Sequence, residues 1–397
     1  MKKKILFIMP SMFIGGAERS LLGIFEAIDY SQYDVSLFLY RHEGEFLSYI
    51  PKQINLLPPM PEYGTFDVPI RSLLFTKRRR FGAARLLSKI ALKLHCLLSG
   101  EKNGIWMSMQ YTSRYLLPLL PEIPGKYDLG VMFLGVADTL IHRVSAEKKV
   151  AWCHTDYDTL YPNRKMDRST YAALDRVVFV SDSCREKVLR YYPELKDGTQ
   201  VIENILGERL LQKQAEAAID DMPHQEDGYV LLSIGRFSAA KNFDNVPDIC
   251  RRIQIKGLNV KWYLIGYGGD EDLIRSRIKE AGMDETVILL GKRENPYPYI
   301  KACDLYVQPS RFEGKCVTVR EAQMLGKPVV ITRYATSADQ LEEGVDGVIV
   351  PMDNEGCAEG IASLLRDPER MERLVHACRQ RDYSNREEIE KLEQIVG

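Results

Sequence analysis

Glu313 and Glu321 stand eight positions apart, and this is the most informative spacing in the chain. Glu313 falls in a loop after an apolar strand-like run, and Glu321 falls inside the helix expected next. Carboxylates placed this way can each accept paired hydrogen bonds from neighbouring hydroxyls, as a sugar ring or a ribose diol presents them. An exposed position for Glu321 is opposed by its neighbours Val317, Val319, Ala322, Met324 and Leu325, which predict a buried helix and therefore a partner for the acid. Arg236 and Lys241 follow Ser233-Ile234-Gly235 where a strand gives way to a helix. Two cations there can converge on one anion near the positive end of the helix dipole, each contact contributing about 1.5–3 kcal/mol; two solvated surface cations are the other reading. Gly15-Gly16 opens the first helix, with backbone N–H groups free to meet an anion or a sugar, or else forms a tight turn that needs positive φ. His154 ends a strand, where a structural histidine is the commoner case. Asp156 and Asp158 have the spacing of a divalent-metal pair but follow a central strand, and no metal is expected there. Gly266-Tyr267-Gly268-Gly269 lacks the spacing of a dinucleotide fingerprint.

These residues need elements to hold them. Short apolar runs rich in Val, Ile and Leu fall at 5–9, 35–40, 129–134, 150–154 and 177–180, then at 230–234, 261–265, 287–290, 305–308, 328–332 and 348–350. They do not alternate cleanly, which is the pattern of strands covered on both faces by helices, and helical stretches lie between them. The fold class is therefore α/β: two Rossmann-like, doubly wound parallel-sheet domains facing a central crevice. The boundaries read as 1–206, 207–381, and a charged amphipathic helix at 382–397 that returns to the first domain. The length of 397 residues suits two domains, and the formal net charge of −1 gives no cause to expect nucleic acid. Eight cysteines without a C-x-x-C pair form neither a disulfide framework nor a zinc site. Lys2 to Lys4 and the apolar run after them imitate a secretory signal. Pro10 and the glycine pair interrupt the run, so it reads as a buried strand in a cytoplasmic protein.

One stretch departs from the average. Between Arg71 and His95 there are eight Lys and Arg and no acid. Phe75, Phe81, Leu86, Leu87, Ile90 and Leu94 interleave with Lys77, Arg78, Arg79, Arg80, Arg85, Lys89 and Lys93. This reads either as a basic amphipathic helix lying on an anionic membrane or as ordinary core with a solvated charged face.

Taken together, the motifs resemble glycosyltransferase family 4, the retaining nucleotide-sugar transferases of the GT-B fold, in bacterial capsule, exopolysaccharide and lipopolysaccharide synthesis. The carriers are Glu313…Glu321, Gly235-Arg236-Phe237…Lys241, Gly326-Lys327-Pro328-Val329 and Gly15-Gly16-Ala17-Glu18. The resemblance spans nearly the whole chain and is strongest from 231 to 351. It implies that Arg236 and Lys241 hold the diphosphate of a UDP- or GDP-sugar, that Glu321 binds the ribose and Glu313 the hexose, and that His154 lies near the reacting sugar. It implies donor contacts from Gly16, Gly235, Gly314, Lys315, Cys316 and Val317, a glycan or lipid-linked saccharide acceptor, and no metal or other cofactor. It also favours the inner face of the cell membrane as the place of work. Lys315-Cys316-Val317-Thr318 replaces the family's glycine-rich, proline-containing stretch, and Asn242 stands where a glycine is common. A nucleotide-sugar 2-epimerase and an inactive nucleotide-sugar-binding subunit are the alternatives.

Overall fold

The computed structural model describes residues 2–154, 157–313 and 316–397. The chain forms two compact units: residues 1–207 with 385–397, and residues 208–384.

The first unit holds seven strands: β1 (Lys3–Met9), β2 (Tyr33–Leu39), β3 (Asn55–Leu56), β4 (Ile123–Met132), β5 (Val144–Cys153), β6 (Arg176–Phe179) and β7 (Thr199–Val201). They form one parallel sheet in the order β3-β2-β1-β4-β5-β6-β7. The second unit holds β8 (Tyr229–Ile234), β9 (Val260–Ile265), β10 (Val287–Gly291), β11 (Leu305–Gln308), β12 (Val329–Thr332) and β13 (Val348–Val350), parallel in the order β10-β9-β8-β11-β12-β13. Each order reverses once, between β1 and β4 and between β8 and β11. Such switch points open a crevice at the carboxyl ends of their strands, where doubly wound sheets take their ligands.

The sequence pattern has a direct physical cause in the second unit. Leu231, Trp262, Leu264, Leu305 and Val307 pack into one apolar layer. Val230, Leu232, Tyr263, Ile265 and Tyr306 pack into a second. Consecutive strand residues thus enter separate cores, and both must be apolar. One buried polar tie crosses the strands: Ser233 Oγ donates to the Val307 carbonyl at 2.5 Å and accepts from Trp262 Nε1 at 2.9 Å.

Three details depart from the sequence reading. The edge strands β3 and β7, two and three residues long, carry no run long enough to signal a strand. Strands β4 and β5 extend back to Ile123 and Val144 through polar residues. The tail is not one helix: Asn385 takes a left-handed conformation with φ 58, a single 3-10 turn follows, and only Ile389–Val396 is α-helical. That helix buries Ile389, Leu392, Ile395 and Val396. Lys148 Nζ donates to the Ile395 and Val396 carbonyls at 2.8 and 3.3 Å, and the Glu203 N–H donates to Glu388 Oε2 at 2.8 Å.

Candidate functional site

In the second unit the carboxyl ends of β8 and β11 meet at the switch point. The chain leaves β8 through Gly235, Arg236 and the buried Phe237. A Cβ on Gly235 would come within 2.9 Å of Lys241 Cε and 3.1 Å of its Cδ, so the glycine makes room for the lysine stem. The loop after β9 needs its glycine for the same kind of reason: a Cβ on Gly266 would stand 1.9 Å from the Gly235 carbonyl oxygen. Gly235 N–H donates to Ile265 at 3.0 Å and Phe237 N–H to Tyr267 at 2.9 Å, so the two loops support each other.

Lys241 Nζ lies 2.6 Å from Glu313 Oε1 in an ion pair whose side chains are 18% and 10% exposed. Glu313 Oε1 also accepts from Ser310 Oγ at 2.6 Å, and its backbone carbonyl accepts from Thr336 Oγ1 at 2.9 Å. Ser310 is held in turn by Gln308 Nε2 at 2.9 Å. Arg311 clamps the β11 loop to the β8 loop through Asp244, at 3.0 and 2.8 Å, and through the Ala239 carbonyl at 2.7 Å. Asn242 fills a left-handed position with φ 61 and donates to the Pro309 carbonyl at 2.9 Å. Asparagine tolerates that conformation and supplies a hydrogen bond that glycine lacks. Arg236 is exposed, and among the described residues its guanidinium has no hydrogen bond or ion pair.

Glu321 sits in the helix Val317–Met324 and is 2% exposed. Its Oε1 accepts from Tyr297 Oη at 2.6 Å, a tyrosine 24 positions earlier on the helix Tyr297–Ala302. The apolar setting of Glu321 announced that a partner was needed but could not say which. Val317 is exposed, contrary to a helix apolar on every side. The Cys316 N–H donates to Gln340 Oε1 at 2.7 Å, and burial pushes its thiol above the usual range. Gly314 and Lys315 lie outside the described residues. Sequence reading missed Ser310, Arg311, Tyr297 and Gln340; each contributes through partners distant along the chain or through a loop conformation.

Gly16 and His154 belong to the first unit. Gly15 has an extended backbone, φ −161, so the positive-φ reading of the glycine pair is corrected. A Cβ on Gly16 would meet nothing within 4 Å, so neither backbone nor crowding requires glycine there. The His154 ring lies edge-on to Phe133, centroids 4.6 Å apart, and stacks over Trp152 at 6.4 Å. Burial pushes it down to about 4 against a hydrogen bond with the Phe133 backbone, so the ring is neutral near pH 7. Its Nε2 is buried with no hydrogen-bond partner among the described residues. Beside the ends of β1, β2 and β4 lies a cavity of about 240 Å³ lined by Pro10, Tyr40, Arg85, Ser108, Ser113 and Gly135 among others. Asp156 lies outside the described residues. Asp158 accepts from Tyr191 Oη at 2.9 Å, and no metal-holding group of three or more His, Cys, Asp or Glu occurs among the described residues.

The basic stretch is corrected at one position. Arg85 turns inward and donates to the carbonyls of Thr65, at 3.1 Å, and Val68. Lys77, Arg78, Arg79, Arg80, Lys89 and Lys93 are exposed.

Residues 214–381 match the model of the family described as Glycosyl transferases group 1. The "N-acetylgalactosamine-N,N'-diacetylbacillosaminyl-diphospho-undecaprenol 4-alpha-N-acetylgalactosaminyltransferase" of Campylobacter jejuni is 28% identical over 159 residues, 40% of this chain and 42% of that protein. The lipopolysaccharide core biosynthesis glycosyltransferase LpsE of Rhizobium meliloti is 27% identical over 177 residues, 44% of this chain and 50% of that protein. The chain thus matches half or less of the length of these relatives. Among solved structures, HepE of Anabaena in complex with UDP-glucose superposes with a TM-score of 0.58 at 18% identity, covering 98% of this chain and 99% of that one. The fold is GT-B, two Rossmann-like parallel-sheet domains.

Proposed function

We propose that the chain is a retaining glycosyltransferase that moves a hexose from a nucleotide diphosphate sugar to a glycan or lipid-linked saccharide in cell-surface polysaccharide synthesis. The observation that carries this reading is the lysine–carboxylate pair that joins the β8 and β11 loops at the switch point, with an arginine without a partner among the described residues in the same β8 loop and a buried carboxylate in the helix after β11. The relatives named as amylovoran and lipopolysaccharide core biosynthesis glycosyltransferases support it, as do the HepE structures with UDP and UDP-glucose.

In this reading Arg236 and Lys241 hold the diphosphate. The leaving nucleoside diphosphate gains negative charge as the glycosidic bond breaks, so fixed cations bind the transition state more tightly than the ground state. Lys241 has N–H donors beyond the one that meets Glu313 Oε1, and Glu313 retains a second oxygen for a sugar hydroxyl. Glu321, aligned by Tyr297, takes the ribose hydroxyls. Gly235 keeps the loop low enough for the lysine to reach across, and Gly16, open around its Cα, lets a ligand approach the backbone. Neutral His154, packed against Phe133 and Trp152, is the group of the first unit that orients the reacting sugar. The acceptor attacks the face the nucleotide leaves, and a diphosphate oxygen takes its proton, which retains the anomeric configuration. The cavity beside β1 and β4 is the acceptor's place. The two cations carry the charge compensation, so activity is expected without a metal or other cofactor.

The test is thermal stability in EDTA with saturating UDP, GDP, ADP or dTDP. A ligand that binds only the folded chain adds about 2.7 kcal/mol at a hundredfold excess over its Kd. UDP or GDP is expected to raise the melting temperature selectively. No shift with any of the four overturns the reading, and turnover of donor without acceptor would turn it towards an epimerase.

A further inference from the structure

The helix Arg79–Ser99 is the longest in the chain, and it is apolar on the wrong side. Its buried residues are Gly82, Ala84, Ser88 and Leu92, small apart from the last. Ser88 and Leu92, two residues either side of Ile90, project about 160° away from it at 100° per residue. The side turned away from the unit carries Leu86, Leu87, Ile90, Leu94, Leu97 and Leu98, all exposed, the last two at 78% each. Leu86, Leu87, Leu94 and Leu97 project within about 60° of Ile90, so they form one stripe about 18 Å long. Phe75, 89% exposed, extends the apolar surface before the helix. A soluble surface rarely leaves so continuous a row of leucines uncovered.

The charges around the stripe say what covers it. Lys93 turns about 60° from Ile90 along one edge of the stripe, and Arg80 precedes Leu86 by about 9 Å, so cations stand along one edge and at its start. Lys77, Arg78, Arg79 and Lys89 add to them, and no acid occurs from Arg71 to His95. A second copy of the same surface would set cations against cations, whereas an anionic bilayer complements both the leucines and the charges. Among the described residues no helix is long and apolar enough to cross a membrane, which leaves this one to lie along it.

We propose that the exposed leucine stripe of the helix Arg79–Ser99, with its flanking Lys and Arg, docks the chain on an anionic lipid surface. The same helix turns Arg85 to the opposite side, into the wall of the cavity beside β1 and β4. The stripe and that cavity are therefore one helix diameter apart, about 10 Å. An acceptor whose sugar enters the cavity would keep a lipid tail within reach of the bilayer.

The full chain is mixed with vesicles of equimolar phosphatidylglycerol and phosphatidylcholine, or of phosphatidylcholine alone, and floated on a density gradient. It should rise with the anionic vesicles at low salt, rise less as salt is added, and stay behind with the neutral ones. Ile90→Asp with Leu94→Asp should lower anionic-vesicle binding at least tenfold, and Lys89→Glu with Lys93→Glu should weaken it and its salt dependence. All four side chains are exposed, so melting temperatures and nucleotide-induced shifts should stay at wild-type values. No flotation of the wild type, or equal flotation of the Asp variant, overturns the proposal. So does a wild type that pairs in sedimentation, loses the pairing on Leu94→Asp and ignores vesicles, because the stripe is then a contact between copies. A nucleotide shift without flotation sinks the docking alone, and flotation without a nucleotide shift sinks the transferase reading alone.

Discussion

In the first unit Asp167 is buried among neutral donors: Gln110 Nε2 at 2.6 Å, Tyr157 Oη at 2.6 Å and Trp106 Nε1 at 3.1 Å. In the second, Glu313 is met by a lysine at 2.6 Å and a serine at 2.6 Å. Burial wins over the hydrogen bonds at Asp167 and pushes it up to about 6. Its donors close a ring of side chains from three elements, which ties the unit together. The Glu313 pair sets a lysine against Gly235, the residue before the arginine at the end of β8. A carboxylate surrounded by neutral donors serves the fold, whereas one set beside a cation can change partners when another anion arrives.

Removing the cation is the strongest way to break this contrast. Lys241→Ala should lower turnover of a nucleotide sugar by about 10²–10³, the scale of losing one preorganised donor at a developing charge, while the fold stays intact. Near-normal turnover in that variant would end the diphosphate assignment. Acidification sharpens the contrast from the other unit. Burial holds His154 at about 4 against an ordinary 6.5. Between those values the unfolded chain binds a proton that the folded chain refuses, so stability falls as pH drops from 6.5 to 4, by as much as about 3 kcal/mol. Asp167 works the opposite way, since the folded chain takes up its proton first. Comparing denaturant unfolding of the wild type with His154→Gln across this range cancels that term, and equal pH slopes would count against the assignment.

Smaller changes probe the neutral network and the loop. Tyr157→Phe removes one donor from Asp167 and should lower unfolding stability by about 1–3 kcal/mol. A change within experimental error would show that the ring is not a structural tie. Asn242→Gly keeps the left-handed turn but loses the bond to Pro309, for about 1 kcal/mol in stability. Asn242→Ala should cost more than the glycine, because it also forces a Cβ into φ 61. Equal melting temperatures for the two would contradict that ranking.

How much of this could be read from the chain follows from what each residue needs nearby. The strands were legible because Leu231 and Leu232, or Tyr306 and Val307, enter different cores and must both be apolar. Burial of Glu321 was legible from Val319 and Ala322 beside it, yet Tyr297 was not, because hydrogen-bond partners 24 positions apart leave no periodic trace. Arg85 looks like its neighbours in sequence, and only the carbonyls of Thr65 and Val68 draw it inward. The leucines from Leu86 to Leu98 were visible as apolar, but a one-dimensional pattern does not distinguish the side that meets the core from the side that meets anything else. The break at Asn385 did leave a trace, since Asp382, Ser384 and Asn385 favour turns and helix starts over helix interiors.

The tail that returns to the first unit has a consequence for how the chain is made. Residues 385–397 complete the unit begun by Lys3, and all of 208–384 emerges between them. A ribosome therefore releases every residue of the second unit before the first can bury Leu392, Ile395 and Val396 or satisfy Lys148. Domains usually mature in the order of their synthesis. Here the unit started first is finished last, and its nascent form waits with an apolar seam open while its younger neighbour is already complete.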